Sequence, residues 1–297
     1  MSELHEIALQ ILSKGKGILA ADESTATMTK RLDSVNVVSD ENNRLLFRQT
    51  LFSSSSMKDC IGGVILYDET IRQKTSNGKT IPELIHSSGS LTGIKVDTGA
   101  KILAGSKDEK VTEGLDGLRE RLKDYYKLGA RFTKWRGVYS ISDKYPSNLS
   151  ISANAHALAR YAALVQEAGM VPIIEPEVLM NGNHSAKDCL NKTSEVIKKC
   201  YEELELNNVD LKGTILKPNM ILPGENSNEK ISNEEIAELT LDCLKNNVPT
   251  SVPGIAFLSG GQSEIEATAN LNQINVKNNT DFIMTYSYGR ALQQSAL

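Results

Sequence analysis

Apolar residues at Leu4, Ile7, Ala8, Ile11 and Leu12 recur at i, i+3, i+4, i+7 and i+8, which predicts an amphipathic helix over residues 3–12 closed near Gly15. From there the pattern changes to short unbroken apolar runs alternating with helical periodicity. The runs cover residues 17–22, 61–67, 91–97, 130–136, 170–177, 213–217, 254–261 and 281–290. Between them, helices are expected after Ser39 with Leu45, Leu46, Leu51 and Phe52 on one face, over about 112–128 with Leu115, Leu118 and Leu122 inward, and over about 152–168. Further helices run from Ser185 to about Leu206, from a Ser232/Glu235 capping box, and from Ser263 with Glu266. A run that is apolar throughout, rather than at every second position, is buried on both faces, as in a parallel sheet. Eight such units predict an α/β fold, a (β/α)8 TIM barrel, as a single domain over residues 1–297 with the N-terminal helix preceding the first strand. An open doubly wound sheet is the alternative, weakened because no G-x-G-x-x-G follows the first run.

A barrel carries its active site at the C-terminal ends of its strands. The runs end, in order, on Asp22, Asp68/Glu69, Lys95 and Asp97, Lys134 and Arg136, Glu175 and Glu177, Lys217, Ser259-Gly260-Gly261, and Ser287-Tyr-Gly289-Arg290. Strand positions i and i+2 share a face, so Lys134 with Arg136, and Glu175 with Glu177, point to the same side. A barrel mouth also collects charges simply because it is wet. Lysines and carboxylates gathered on one rim nevertheless perturb each other's protonation, which acid/base and amine catalysis require. Lys217 closes a short apolar strand, where a desolvated amine can attack a carbonyl and form a Schiff base.

The glycine turns after the seventh and eighth runs let backbone N–H groups approach an anion, and Arg290 adds a planar fork suited to phosphate oxygens. Ser24, Thr27, Lys30 and Arg31 supply hydroxyls and cations for a second anion, although Lys30 and Arg31 also fit an ordinary helix surface. Trp135, between two inward cations, faces the helical layer as packing. Cys60 and Cys243 are read as core.

Composition narrows the classes. The 297 residues are 40% hydrophobic and 24% charged, with a net charge of −4, which leaves no basic stripe for nucleic acid or an anionic membrane. No apolar run approaches the ~20 residues that span a bilayer, and the first residues show no basic stretch followed by an apolar core. A cytoplasmic protein is expected. The four cysteines and four histidines are scattered without metal-ligand spacing, so neither a metal nor another cofactor is expected.

The motifs Leu-Ala-Ala-Asp22-Glu-Ser24, Gly-Ile-Lys95-Val-Asp97, Lys134-Trp-Arg136, Glu175-Pro-Glu177, Leu-Lys217-Pro-Asn-Met220, Leu258-Ser-Gly-Gly-Gln-Ser263 and Ser287-Tyr-Gly-Arg290 resemble class I fructose-bisphosphate aldolase of the animal and plant type, in the same order from about Gly15 to Leu297. The resemblance implies reversible cleavage of fructose 1,6-bisphosphate into dihydroxyacetone phosphate and glyceraldehyde 3-phosphate. It makes Lys217 the Schiff-base lysine, Glu175 the acid and base for the carbinolamine, and Asp22 the base at the C4 hydroxyl. Lys134 orients substrate, and Lys95 and Glu177 support the charge network. Ser259, Gly260, Gly261, Ser287, Gly289 and Arg290 bind one phosphate; Ser24, Thr27 and Arg31 hold or guide the other, with Arg136 beside the substrate. The family commonly has serine where Thr27 stands and is often tetrameric. It usually continues past Leu297 into a helix and a tail ending in tyrosine that aids proton exchange. The expectation here is that cleavage persists while enamine protonation is slower or uses another group. Another Schiff-base barrel aldolase or a transaldolase, and an inactive scaffold, are the competing functions.

Overall fold

The computed structural model describes residues 2–297. Helix α1 (Glu3–Ile11), capped by the Ser2 hydroxyl, leads into strand β1 (Gly17–Ala21). Then come α2 (Thr25–Asp33), α3 (Glu41–Phe52), the short α4 (Met57–Cys60), β2 (Ile61–Leu66), two short helices α5 (Asp68–Arg72) and α6 (Ile81–His86), and β3 (Leu91–Lys95). An antiparallel hairpin, β4 (Gly99–Ile102) and β5 (Lys110–Glu113), stands outside the barrel. The alternation resumes with α7 (Leu118–Lys127), β6 (Ala130–Tyr139), α8 (Asn148–Glu167), β7 (Val171–Val178), α9 (Ala186–Leu206) and β8 (Ile215–Leu216). It ends with α10 (Asn233–Asn247), β9 (Gly254–Phe257), α11 (Glu264–Lys277), β10 (Ile283–Tyr288) and α12 (Arg290–Gln293).

Eight of these strands close a parallel barrel in the order β1-β10-β9-β8-β7-β6-β3-β2. Its interior is a separate apolar cluster from the strand–helix layer around it. Ile18, Ile65, Phe132, Ile173 and Ile215 fill the inside, and Ile7, Ile11 and Leu12 of the N-terminal segment pack against them. Helix α1 therefore plugs the barrel, burying apolar area at about 25 cal/mol per Å². The plug fits because glycines make room for it. A Cβ at Gly62 would collide with the backbone carbonyl of Ile11, and one at Gly93 would enter the Phe132 ring. Among the described residues, no helix is long and apolar enough to cross a membrane.

Several expectations change. The helix expected from residue 112 begins at Leu118, because residues 110–113 pair as β5. Gly114 and Gly117 then turn the chain at φ +127° and +65°, conformations that an α-helix does not contain. The Leu118/Leu122 spacing was a true helical signal, but its upstream extension ran through a turn. In α3 the inward residues are Arg44, Arg48 and Phe52, and Leu46 is 61% exposed. The arginines win the inward face because partners meet them there: Arg44 bonds the Glu69 carboxylate in bidentate fashion, and Arg48 donates to the Glu23 carbonyl. The strand ending at Lys217 pairs regularly only at Ile215 and Leu216, although the Lys217 N–H still donates to the Ile174 carbonyl. Cys60 is partly exposed rather than core, whereas Cys243 is buried, and burial pushes its thiol up to about 12. Trp135 is fully buried, 5.4 Å from the Tyr161 ring.

Gly62→Ala is expected to destabilise the protein by about 1–3 kcal/mol, because backbone rather than a flexible side chain must yield. Urea unfolding would measure this; an unchanged midpoint would mean that the plug is not held at that contact.

Candidate active site

The C-terminal rim of the barrel brings together acids and amines from five strands, of which β3, β6, β7 and β8 are consecutive in the barrel and β1 is not. Asp22 follows β1, Lys95 ends β3, Lys134 and Arg136 lie on β6, Glu175 and Glu177 lie on β7, and Lys217 follows β8. Pairing of β6 with β7 sets Arg136 opposite Glu175 and Val138 opposite Glu177, so the alternating charged residues of both strands rise in step. Two lysines bracket Glu175: Lys217 Nζ lies 3.0 Å from Oε1 and Lys134 Nζ 3.0 Å from Oε2. Lys134 Nζ also donates to Asp22 Oδ2 at 3.0 Å. The result is a continuous chain Lys217–Glu175–Lys134–Asp22, with Lys217, Glu175 and Lys134 all buried. Beside it, Arg136 Nε meets Glu177 Oε2 at 2.5 Å, and Lys95 lies 3.4 Å from Asp97.

Burial alone would raise the acids and lower the amines. At Asp22, burial pushes upward, but the charges of Lys134 and Lys217 outweigh it and bring the carboxyl down to about 2. The same contest holds Glu175 below the usual carboxylate range. Burial disfavours the Lys134 ammonium, yet Asp22 and Glu175 outweigh it and raise its pKa. Lys134 is thus a fixed cation shared by two carboxylates, whereas Lys217 pairs with one.

These groups line a cavity of about 550 Å³. Ser24, Thr27 and Arg31, after β1, also line it, as do Ser259, Gly260, Ser287, Gly289 and Arg290, from β10 and the turns after β9 and β10. Ser24 caps α2 and its hydroxyl is 3.1 Å from that of Thr27. Gly260 and Gly261 turn at φ +58° and +98°, exposing the backbone after β9. The Ser287 hydroxyl is buried without an internal hydrogen-bond partner. Gly261 is the exception among the sequence-derived residues: it lies in an adjoining depression with Arg290, outside the main cavity. Arg31 lines the cavity with its Nη1 engaged by Glu23 at 2.5 Å and Gln293 at 2.9 Å, while its buried Nη2 has no hydrogen-bond partner among the described residues. Among the described residues, no group of three or more His, Cys, Asp or Glu side chains is arranged to hold a metal ion.

Sequence reasoning passed over Glu23, Ser34 and the hairpin residues Gly99 and Ala100, all of which reach the cavity. Glu23 directly follows Asp22, and strand alternation would turn it away; the chain leaves β1 at Ala21, so that rule no longer applies. Burial and the neighbouring Asp22 charge raise the Glu23 carboxyl, with Arg31 opposing them. The hairpin residues carry no chemical signal of their own.

The Asp22 shift has a definite sign. Its folded value, about 2, lies below its ordinary 3.8, so its contribution to stability is complete above about pH 4 and is lost as pH falls toward 2. At ~1.4 kcal/mol per unit, the contribution is on the order of 2 kcal/mol. Urea unfolding across this pH range is expected to show Asp22→Asn losing that part of the acid dependence; a variant as acid-sensitive as wild type would contradict the assignment. Lys134→Met takes from Asp22 its one ion-pair partner among the described residues and leaves Glu175 with Lys217 alone, and is expected to cost about 3–5 kcal/mol at pH 7 in the same measurement.

A family model described as fructose-bisphosphate aldolase class-I matches residues 3–297. The chain is 49% identical over 297 residues to a probable fructose-bisphosphate aldolase class 1 of Xanthomonas axonopodis pv. citri, covering all of this chain and 89% of that one. It is 50% identical over 296 residues to the cytosolic fructose-bisphosphate aldolase 4 of Arabidopsis thaliana, covering 99% of this chain and 75% of the relative. The solved structure of the Plasmodium falciparum fructose-bisphosphate aldolase, in complex with TRAP and a small-molecule inhibitor, superposes with a TM-score of 0.97 at 44% identity, covering 99% of this chain and 86% of that one. With a parallel barrel and this rim of charges behind those matches, the chain belongs to the class I fructose-bisphosphate aldolase family.

Proposed function

We propose that the chain cleaves fructose 1,6-bisphosphate reversibly into dihydroxyacetone phosphate and glyceraldehyde 3-phosphate through a Schiff base on Lys217. The observation that carries this reading is the unequal sharing of carboxylates: Lys134 has two and Lys217 one. Lys134 keeps its proton, and Lys217 is the amine that attacks, with Glu175 as its acid and base 3.0 Å away. The neutral amine adds to the C2 carbonyl, forming a C–N bond and a carbinolamine. Glu175 returns a proton to the departing hydroxyl, water leaves, and a protonated imine results. Asp22, held ionised by Lys134, takes the C4 hydroxyl proton. The C3–C4 bonding pair then flows into the iminium, giving an enamine and releasing glyceraldehyde 3-phosphate. Protonation at C3 and hydrolysis of the imine free dihydroxyacetone phosphate and restore Lys217.

In this reading Lys134 and Arg136 steady developing negative charge, Glu177 holds Arg136, and Lys95 with Asp97 completes the charge balance. The turns after β9 and β10 with Arg290 take one phosphate, and Ser24 and Thr27 take the other. A cytoplasmic enzyme of glycolysis and gluconeogenesis, assembled as a homotetramer, completes the proposal; the cytosolic names of plant relatives support the first point.

Borohydride reduction with dihydroxyacetone phosphate, followed by peptide mass spectrometry, is expected to add mass at Lys217 alone. Lys217→Ala is expected to lose the adduct and about 10³-fold or more of kcat while remaining folded. An adduct on Lys134 instead, or normal turnover by Lys217→Ala, would refute the assignment.

A further inference from the structure

Arg31 spends one guanidinium nitrogen, Nη1, on two internal contacts, while its Nη2 is buried without a hydrogen-bond partner among the described residues. Its Nη1 donates to Glu23 Oε1 at 2.5 Å and to Gln293 Oε1 at 2.9 Å, and its guanidinium carbon lies 5.7 Å from the centre of the Phe47 ring. Gln293 is fully buried, and its Nε2 donates to the Ala20 carbonyl at 2.7 Å. This amide is therefore used at both ends. Arg31 sits on α2, whose first turn carries Ser24 and Thr27; Gln293 closes α12, one turn after Arg290. A single line of hydrogen bonds thus joins both anion-binding sides of the cavity to the end of β1, directly beside Asp22. A phosphate that drew Arg31 Nη1 away would strip Glu23 of the only ion pair it makes among the described residues. That would leave a buried carboxylate next to Asp22. Lys30, which also lines the cavity, has no carboxylate partner among the described residues and is a second cation on that side.

We propose that Arg31 and Gln293 are positioning residues forming a strut that fixes the separation of the two phosphate-binding sides, and so sets the preference for a sugar carrying a phosphate at each end over one carrying a single phosphate. This rests on the function proposed above. A doubly phosphorylated ligand must satisfy both sides at once and gains from their being held in place beforehand. A singly phosphorylated ligand engages one side and gains little.

Steady-state kinetics on fructose 1,6-bisphosphate and fructose 1-phosphate test this with Gln293→Met, which removes both amide bonds at similar volume. The expected result is a KM for the bisphosphate raised about tenfold with kcat within about twofold, and a KM for the monophosphate within about twofold of wild type. Arg31→Met combined with Gln293→Met is expected to be no worse than the poorer single variant, since both break one strut. Should Gln293→Met not fold, Gln293→Asn, whose shorter amide cannot span Arg31 and Ala20, gives the same comparison. Equal KM increases for both sugars would reduce Gln293 to a merely structural role and overturn the inference. So would Arg31→Met and Gln293→Met effects that multiply, because Arg31 would then grip a phosphate itself. Wild-type protein that forms no Lys217 adduct and cleaves neither sugar would overturn the functional reading and the strut with it; wild-type cleavage with an unaltered Gln293→Met overturns the strut alone.

Discussion

The Lys134 ammonium, held between Asp22 and Glu175, is the interaction on which the rest of the site depends. It ties the end of β1 to the middle of β6 and of β7, three strands that do not all neighbour one another in the barrel. A buried ion pair is weak evidence of stabilisation, because desolvation opposes the Coulombic gain. Here the arrangement keeps two carboxylates ionised in a buried rim, and it leaves Lys217 at the end of the chain with a single partner.

That rim needs a rigid support, which the barrel supplies from below. The α1 plug fills the opposite end of the barrel, with Phe132 and the isoleucines stacked between. Glycines at 62 and 93 are required by close approach rather than by turning, since neither has a left-handed φ. The inside of the barrel is therefore apolar at the bottom and charged at the top.

The sides of the cavity are set by contacts further out. The hairpin β4–β5 is bolted down by Asn154 of α8, which accepts from the Thr112 N–H and donates to the Lys110 carbonyl. Thr112 in turn donates to the Arg136 carbonyl at 2.6 Å. Arg121 adds bonds to the carbonyls of Val96 and Gly114. Arg48, buried within α3's inward face, steadies the Glu23 backbone. Each is a polar group taken out of water and given a partner across the fold, which is the condition for burying it at all.

The sequence by itself determined whatever depends on neighbours along the chain. Unbroken apolar runs specified buried parallel strands. The capping boxes at Ser185/Asp188, Ser232/Glu235 and Ser263/Glu266 specified helix starts, because both partners lie within one turn. The i, i+2 rule put Lys134 with Arg136 and Glu175 with Glu177 on one rim, and all four line the cavity. Only the tertiary structure decided what depends on partners far apart in sequence. The inward turn of Arg44 and Arg48 needs Glu69 and Glu23; helical periodicity assigned that face to leucines. The hairpin over residues 99–113 is short and half exposed, so it carries no strong apolar signal, and its anchor Asn154 lies 42 residues from Thr112. Gln293 reads as an ordinary polar residue until Arg31, 262 positions away, and Ala20, 273 away, meet it in the folded chain. Hydrophobic burial is non-directional and can be read from composition and period; a buried polar contact is directional and exists only once both partners have been brought to it.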